Sequence, residues 1–241
     1  MTYYPERDDH IQEKRRLAKT FLDDPTRTTF ADLVGFDGFW ATEARRSIDY
    51  YVDDVVLTEG QTPRDIADTV QSALNDPTNI DDVEDLNGFG WATSTELLHV
   101  LQPDTFAIFN KRAVSGLTAL GYEPPNPQYA TTAEYWDFVH MVEDAIEQYD
   151  LRTVYEESTV APRLTDPTDF EVADNLFNTH YADEADFDLA DIRNEQAGGA
   201  AIDIPEELKQ EIEAAVAGNP TYRDLEDFVY SAIRQELQRA G

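Results

Sequence analysis

The stretch Leu86-Asn87-Gly88-Phe89-Gly90-Trp91 constrains the fold of this chain more than any other. Two glycines one residue apart follow a leucine and precede an apolar-periodic run, so the backbone turns tightly there and enters a helix at once. The first 180 residues repeat that grammar of caps, apolar residues at three- and four-residue spacing, and proline or glycine stops. Helices are predicted over 6–23 (Ile11, Leu17, Phe21 and Leu22, closed by Pro25), 42–57, 62–74 (Thr62 as cap, Pro63 in the first turn), 80–85, 94–101 and 111–120, the last stopped by Gly121. Residues 30–40 read as a buried short helix and turn, 106–109 as a short buried segment, and Pro124, Pro125 and Pro127 as a bend. A long helix capped by Thr132 reaches Tyr149, and 150–182 hold one or two more, including 169–181.

The charge balance bears on the surface rather than on the fold. Fifty acidic residues face 18 basic ones, for a net charge of -32, and the only lysines are Lys14, Lys19, Lys111 and Lys209. With 41% hydrophobic and 11% aromatic residues the chain is too apolar to be a disordered acidic tail, so the acid sits on a folded surface. That pattern resembles haloarchaeal proteins. In salt of about 1 M the Debye length is about 3 Å, so such a surface repels a polyanion far less than it would in dilute buffer. Absence of cysteine removes disulfides, thiolate metal sites and a cysteine nucleophile. His10, His99, His140 and His180 have no metal-ligand spacing, so no metal site is expected. No apolar run reaches the roughly 18 residues of a membrane span, and the N-terminus does not read as a signal peptide, so the expected location is cytoplasmic, with no membrane partner.

Composition shifts at residue 183, where an acidic stretch ending in Gly198-Gly199 reads as a linker over 183–199. Beyond it, 200–205 alternate as one short strand, which needs a partner strand to satisfy its backbone. Two helices follow, one with Leu208, Ile212 and Val216 on a face, the other starting at Asp224 with Phe228 and Ile233 in its stripe. Forty residues of this kind are too small a core for a monomer. The segment resembles the ribbon-helix-helix family, in which two chains pair their strands and interlock their helices. The resemblance implies a homodimer through 200–241, with Ile202, Ile204, Leu208, Ile212, Phe228 and Ile233 in the dimer core. Ala201 and Asp203 would face DNA from the ribbon, a poor reading set, and the helix start at Tyr222, Arg223 and Asp224 would clamp phosphate. Use of the same ribbon for assembly alone is the alternative.

The glycine turn itself looks like a helix-hairpin-helix at about 80–101, and 86–121 resembles the helix-hairpin-helix DNA glycosylases. There the pattern is Leu-x-Gly-x-Gly, a helix, and a catalytic aspartate twenty residues after the second glycine; Asn110 stands at that place here. Where some members carry a Schiff-base lysine, two residues after the second glycine, this chain has Ala92. An amide cannot act as the general base, so the resemblance implies a scaffold kept and its chemistry lost. No catalytic residue is expected. Asn87, Gly88, Phe89, Gly90, Trp91 and Lys111 are the expected phosphate contacts, with a monovalent cation (K+ or Na+) on the hairpin carbonyls as in the family and no other cofactor.

The fold expected is mainly α: an all-helical domain over 1–182 containing the hairpin, the linker, then the small ribbon-helix-helix module. The function expected is non-catalytic binding of double-stranded DNA by a dimeric transcriptional regulator. Ribbon-helix-helix regulators linked to cell division in haloarchaea are the group this arrangement resembles. Two alternatives stand beside it: a divergent glycosylase-like repair enzyme with a relocated acid such as Asp104 or Asp144, and an antitoxin or adaptor that binds a protein partner.

Overall fold

In the computed structural model, the residues described are 8–36, 47–58, 60–182 and 187–197. Among them the secondary structure is helical throughout: α1 (Asp8–Asp23), α2 (Arg27–Val34), α3 (Pro63–Asn75), α4 (Ile80–Glu84), α5 (Trp91–Leu101), α6 (Lys111–Ala119), α7 (Thr132–Gln148), α8 (Leu151–Glu157), α9 (Asp169–Tyr181) and α10 (Leu189–Ala197). A π-helical stretch, Tyr50–Val56, precedes α3, and a single 3-10 turn, Pro77–Asn79, joins α3 to α4. None of the helices is long and apolar enough to cross a membrane.

The centre of the packing is α5. Every residue from Ser94 to Val100 is buried, so this helix has no solvent face and its polar side chains must find partners inside. Ser94 Oγ donates to the Val83 carbonyl at 3.2 Å, and Thr95 Oγ1 donates to Trp91 O at 2.6 Å while accepting the Phe109 N–H at 2.9 Å. Helices α1, α3 and α4 pack on α5, while α9 lies along α6, α7 and α8. Aromatic rings fill the space under the start of α5: Trp91 stacks on Tyr135 with ring centroids 5.1 Å apart, and Phe109 on Phe138 at 4.4 Å.

Local sequence explains most of the boundaries. Thr62, Thr131 and Thr168 each cap a helix and form a reciprocal box with the acidic residue three positions on, Asp65, Glu134 and Glu171. The cap of α7 is thus Thr131, not Thr132, because only Thr131 stands three residues before an acid. Helix α6 ends at Gly121 (φ +96°), with Gly121 N–H bonded to Thr118 O and Tyr122 N–H to Leu117 O, the double closure that a left-handed residue permits. Helix α5 begins at Trp91, three residues before the predicted start, because Gly90 serves as its N-cap position.

Two stretches differ in kind from the sequence expectation. Residues 50–56 are π-helical: the repeat of about five residues puts Tyr51 over both Val55 and Val56, and all three meet Gly88. Residues 189–197, inside the segment read as a linker, form α10; Leu189 is fully buried, with Phe187 and Ile192 packed against the same core. Three apolar residues among the acids are enough to dock this short helix. The compact unit that contains these helices ends at Gln196.

Candidate nucleic-acid interface

The glycine turn occupies 85–90, between α4 and α5. Gly88 carries the positive φ, +75°, and a Cβ there would stand 2.7 Å from Val56 Cγ2 and 3.0 Å from Val55 Cγ1. Only glycine permits both the conformation and the approach. Gly90 is extended, and a Cβ on it would meet no atom within 4 Å. The two glycines therefore differ in role: the first makes the turn, the second leaves the start of α5 unobstructed.

The turn is pinned from the side of residues 50–61. Tyr51 donates its hydroxyl to the Gly88 carbonyl at 2.9 Å, Asn87 N–H donates to Gln61 Oε1 at 3.0 Å, and Asn87 Nδ2 donates to the Thr58 carbonyl at 3.2 Å. Phe89 N–H returns to Leu86 O at 3.0 Å. Each of the hairpin carbonyls at 86, 87 and 88 thus already accepts within the protein, Asn87 O from Gln61 Nε2 at 3.5 Å, and a cation there would have to use their second lone pairs.

The turn leads directly into the beginning of α5. No side chain caps that helix, and the first-turn N–H groups have no carbonyl a turn earlier to bond. They carry the positive end of the helix dipole. The Trp91 side chain is turned away: it is buried, and its indole N–H donates to the Ala130 carbonyl at 2.8 Å. Phe89 is half-buried and faces Phe30 at 6.4 Å between centroids. Of the hairpin residues only Gly88 is exposed; Asn87, Phe89 and Gly90 are half-buried and Trp91 is buried.

Around the turn the charge is mixed. Asp81, Asp82 and Asp85 are exposed on and just after α4. Burial, with Asp85 beside it, pushes the Glu84 carboxyl above the ordinary carboxylate range. Against them, Lys111 is exposed at the start of α6 and pairs with no carboxylate among the described residues. Its neighbour Phe109 is tied to Thr95, one turn into α5.

Asn110, which was expected from the sequence to stand at a lost catalytic position, has a structural job. Asn110 is 4% exposed and caps α6, its Oδ1 accepting from Arg112 N–H at 2.8 Å and Ala113 N–H at 3.0 Å. Ala92 lies half-buried in the first turn of α5. The acids considered as replacements stand elsewhere: Asp104 is exposed in the turn after α5, and Asp144 is exposed on α7, accepting the Tyr122 hydroxyl at 2.7 Å. No group of three or more His, Asp or Glu able to hold a metal occurs among the described residues. The residues named for the C-terminal module, Ala201, Ile202, Asp203, Ile204, Leu208, Ile212, Tyr222, Arg223, Asp224, Phe228 and Ile233, lie outside the described residues.

Sequence reading missed the ionic joint that fixes α5 in place. Lys14, 1% exposed, bonds Glu96 at 2.7 Å, and Arg15 pairs with Glu171 while its Nε donates to Val100 O at 3.3 Å. His99 Nδ1 lies 2.7 Å from the Phe106 carbonyl. Lys14, His99 and Glu171, with Asp174 and Asn175, line a small cleft between α1, α5 and α9. One signal was available: Lys14 falls between Ile11 and Leu17 at three-residue steps, on the apolar stripe of α1.

Compared with protein-family models, with curated proteins and with solved structures, the chain finds no match.

Proposed function

We propose that this protein binds double-stranded DNA without cutting it, as a dimeric transcriptional regulator. The observation that supports the reading is the start of α5: a glycine-made turn leads directly into a helix whose N-terminus no side chain caps and whose first turn at Ala92 and Thr93 is half-buried, with the exposed Lys111 following one helix later. Backbone N–H groups at a helix start suit a phosphate oxygen, and they hold the chain on the duplex without reading sequence. Catalysis is not part of the proposal. Asn110 has its oxygen committed to the cap of α6, and position 92 offers a methyl group.

In this reading the segment 200–241 supplies the dimer and a second DNA contact, through Ala201 and Asp203 on the ribbon and the helix start at Tyr222 to Asp224. The hairpin is a phosphate clamp, with the family's monovalent cation as its adjunct. Two weak contacts per chain, doubled by dimerisation, give avidity that neither has alone.

The test is duplex binding by the full chain in molar potassium chloride, measured by fluorescence anisotropy beside a variant lacking 200–241. The full chain should bind as a dimer, and the truncated one should be monomeric and weaker by about a hundredfold or more. A full chain that is monomeric in solution, or that binds no duplex at any salt concentration, refutes the proposal. Release of a base from duplexes carrying damaged bases would move the protein to the repair enzymes instead.

A further inference from the structure

Residues 48–57 carry two signals that disagree. Ile48, Tyr51, Val52, Val55 and Val56 stand at i, i+3, i+4, i+7 and i+8, the apolar spacing of an α-helix. The backbone takes another register. Tyr51 N–H donates to Ser47 O at 3.0 Å, four residues back, but Leu57 N–H donates to Val52 O at 2.8 Å, five back, and Tyr50–Val56 are π-helical. A π run of seven residues is rare, and the single π turns found inside helices frequently lie at functional sites. Here a local preference is overruled by a tertiary partner, which is the condition for an element with two states.

The partner is the glycine turn. In the π register Tyr51, Val55 and Val56 share a face, and all three meet Gly88: a Cβ there would stand 2.7 Å from Val56 Cγ2, 3.0 Å from Val55 Cγ1 and 3.5 Å from Tyr51 Cε2. The Tyr51 side chain is buried, and its hydroxyl donates to the Gly88 carbonyl at 2.9 Å. In an α register the residues beside Tyr51 on its face would be Asp54 and Val55, so a carboxylate would arrive where Val56 now packs. Asp54 is exposed as the chain stands. Burying its charge against the turn is costly, so the turn must give way for the α register to form.

We propose that residues 48–57 are a register switch for the glycine turn: the π register clamps Gly88 through the Tyr51 hydroxyl, and the α register releases it. The link to a ligand rests on the DNA-binding reading above. A phosphate group at the start of α5 binds the clamped turn better than the released one, so it draws the stretch into the π register, and the α register in turn disfavours binding.

The experiment follows the full chain by NMR in molar potassium chloride, through amide hydrogen exchange and the methyl signals of Val55 and Val56. Tyr51→Phe removes one hydroxyl and keeps the ring. Exchange at Phe89, whose N–H closes the turn on Leu86 O at 3.0 Å, should rise about three- to tenfold. Leu57 should stay protected, because in the α register its N–H finds the Asp53 carbonyl instead. Unchanged exchange at Phe89 overturns the proposal, and so does an equal rise at Leu57, which is unravelling rather than a change of register. Deletion of Asp54 is the complementary variant. It sets Val55 and Val56 three and four residues after Tyr51, so a plain α-helix keeps the whole contact with Gly88. That chain should fold with Phe89 protected at least as well as in the native one; a chain that does not fold, or that exchanges faster there, overturns the proposal. Adding duplex to Tyr51→Phe should return its Val55 and Val56 methyl signals toward their native positions. Signals that stay put while duplex is bound overturn the link between register and ligand. A native chain that binds no duplex refutes the DNA-binding reading instead, and the exchange results then decide the switch by themselves.

Discussion

At the scale of single residues, the two glycines of the turn carry separable duties. Gly88 combines a φ of +75° with van der Waals contact to Val55 and Val56, so an alanine there meets backbone strain and overpacking together. Gly88→Ala should cost about 2–4 kcal/mol of stability. Gly90→Ala places a methyl group in open space and gives up only a favourable N-cap residue, at most about 1 kcal/mol. Chemical denaturation of the two variants checks this, and equal losses would show that the turn does not need its left-handed residue. The same scale explains Asn110. Its cap bonds are neutral hydrogen bonds in a buried place, which an amide makes without burying a charge.

At the scale of elements, α6 and α9 approach as closely as they do because Gly116 has no side chain. A Cβ there would lie 2.2 Å from Phe177 Cδ1, and Phe177 is itself buried on α9. Gly116→Ala should therefore destabilise the fold by about 2 kcal/mol, although alanine is the better helix former by about 1 kcal/mol. A stabilised variant in a thermal melt would mean that the two helices are not in contact there. The start of α7 gives a pH effect. The Thr131 backbone N–H, and after it the Thr131 hydroxyl, hold the Glu134 carboxyl below its ordinary range. A depressed folded-state pKa means stability present above the unfolded value and lost as pH falls through the folded one. The native chain should thus exceed Glu134→Ala in stability at neutral pH, and the difference should shrink to nothing as pH drops through and below the carboxylate range. A difference that persists at low pH would assign the cap's contribution to something other than the charged carboxylate.

At the scale of the whole molecule, charge dominates. Several described arginines are held in ion pairs: Arg15 with Glu171, Arg16 with Glu13, Arg27 with Asp49 and Asp53, and Arg152 with Asp169. With 50 acids against 18 bases most carboxylates have only each other and solvent. Lowering salt from about 1 M to about 0.01 M lengthens the Debye length from about 3 to about 30 Å and turns this surface against itself. The thermal midpoint should fall steadily over that range of potassium chloride. A midpoint that is flat or rises on dilution would remove the argument for salt adaptation.

By itself the sequence determined the helical class, the places of most turns and the cap at Thr62, because these depend on residues three or four positions apart and on the conformational limits of glycine and proline. Thr62, Gly88, Gly121 and the stripe of α7 were legible for that reason. Tertiary structure alone decided what met across long separations: Lys14 with Glu96, 82 residues apart; Tyr51 with Gly88; Trp91 with Ala130; and Leu189 with the core of a domain that the acidic composition seemed to have left behind. A buried charge or a π-helical turn is stabilised by the partner it finds, and that partner leaves no periodic mark on the chain. The same holds for the candidate interface. The glycine spacing announced a turn into a helix, but only the packing showed that Trp91 faces inward and that Asn110 is a cap.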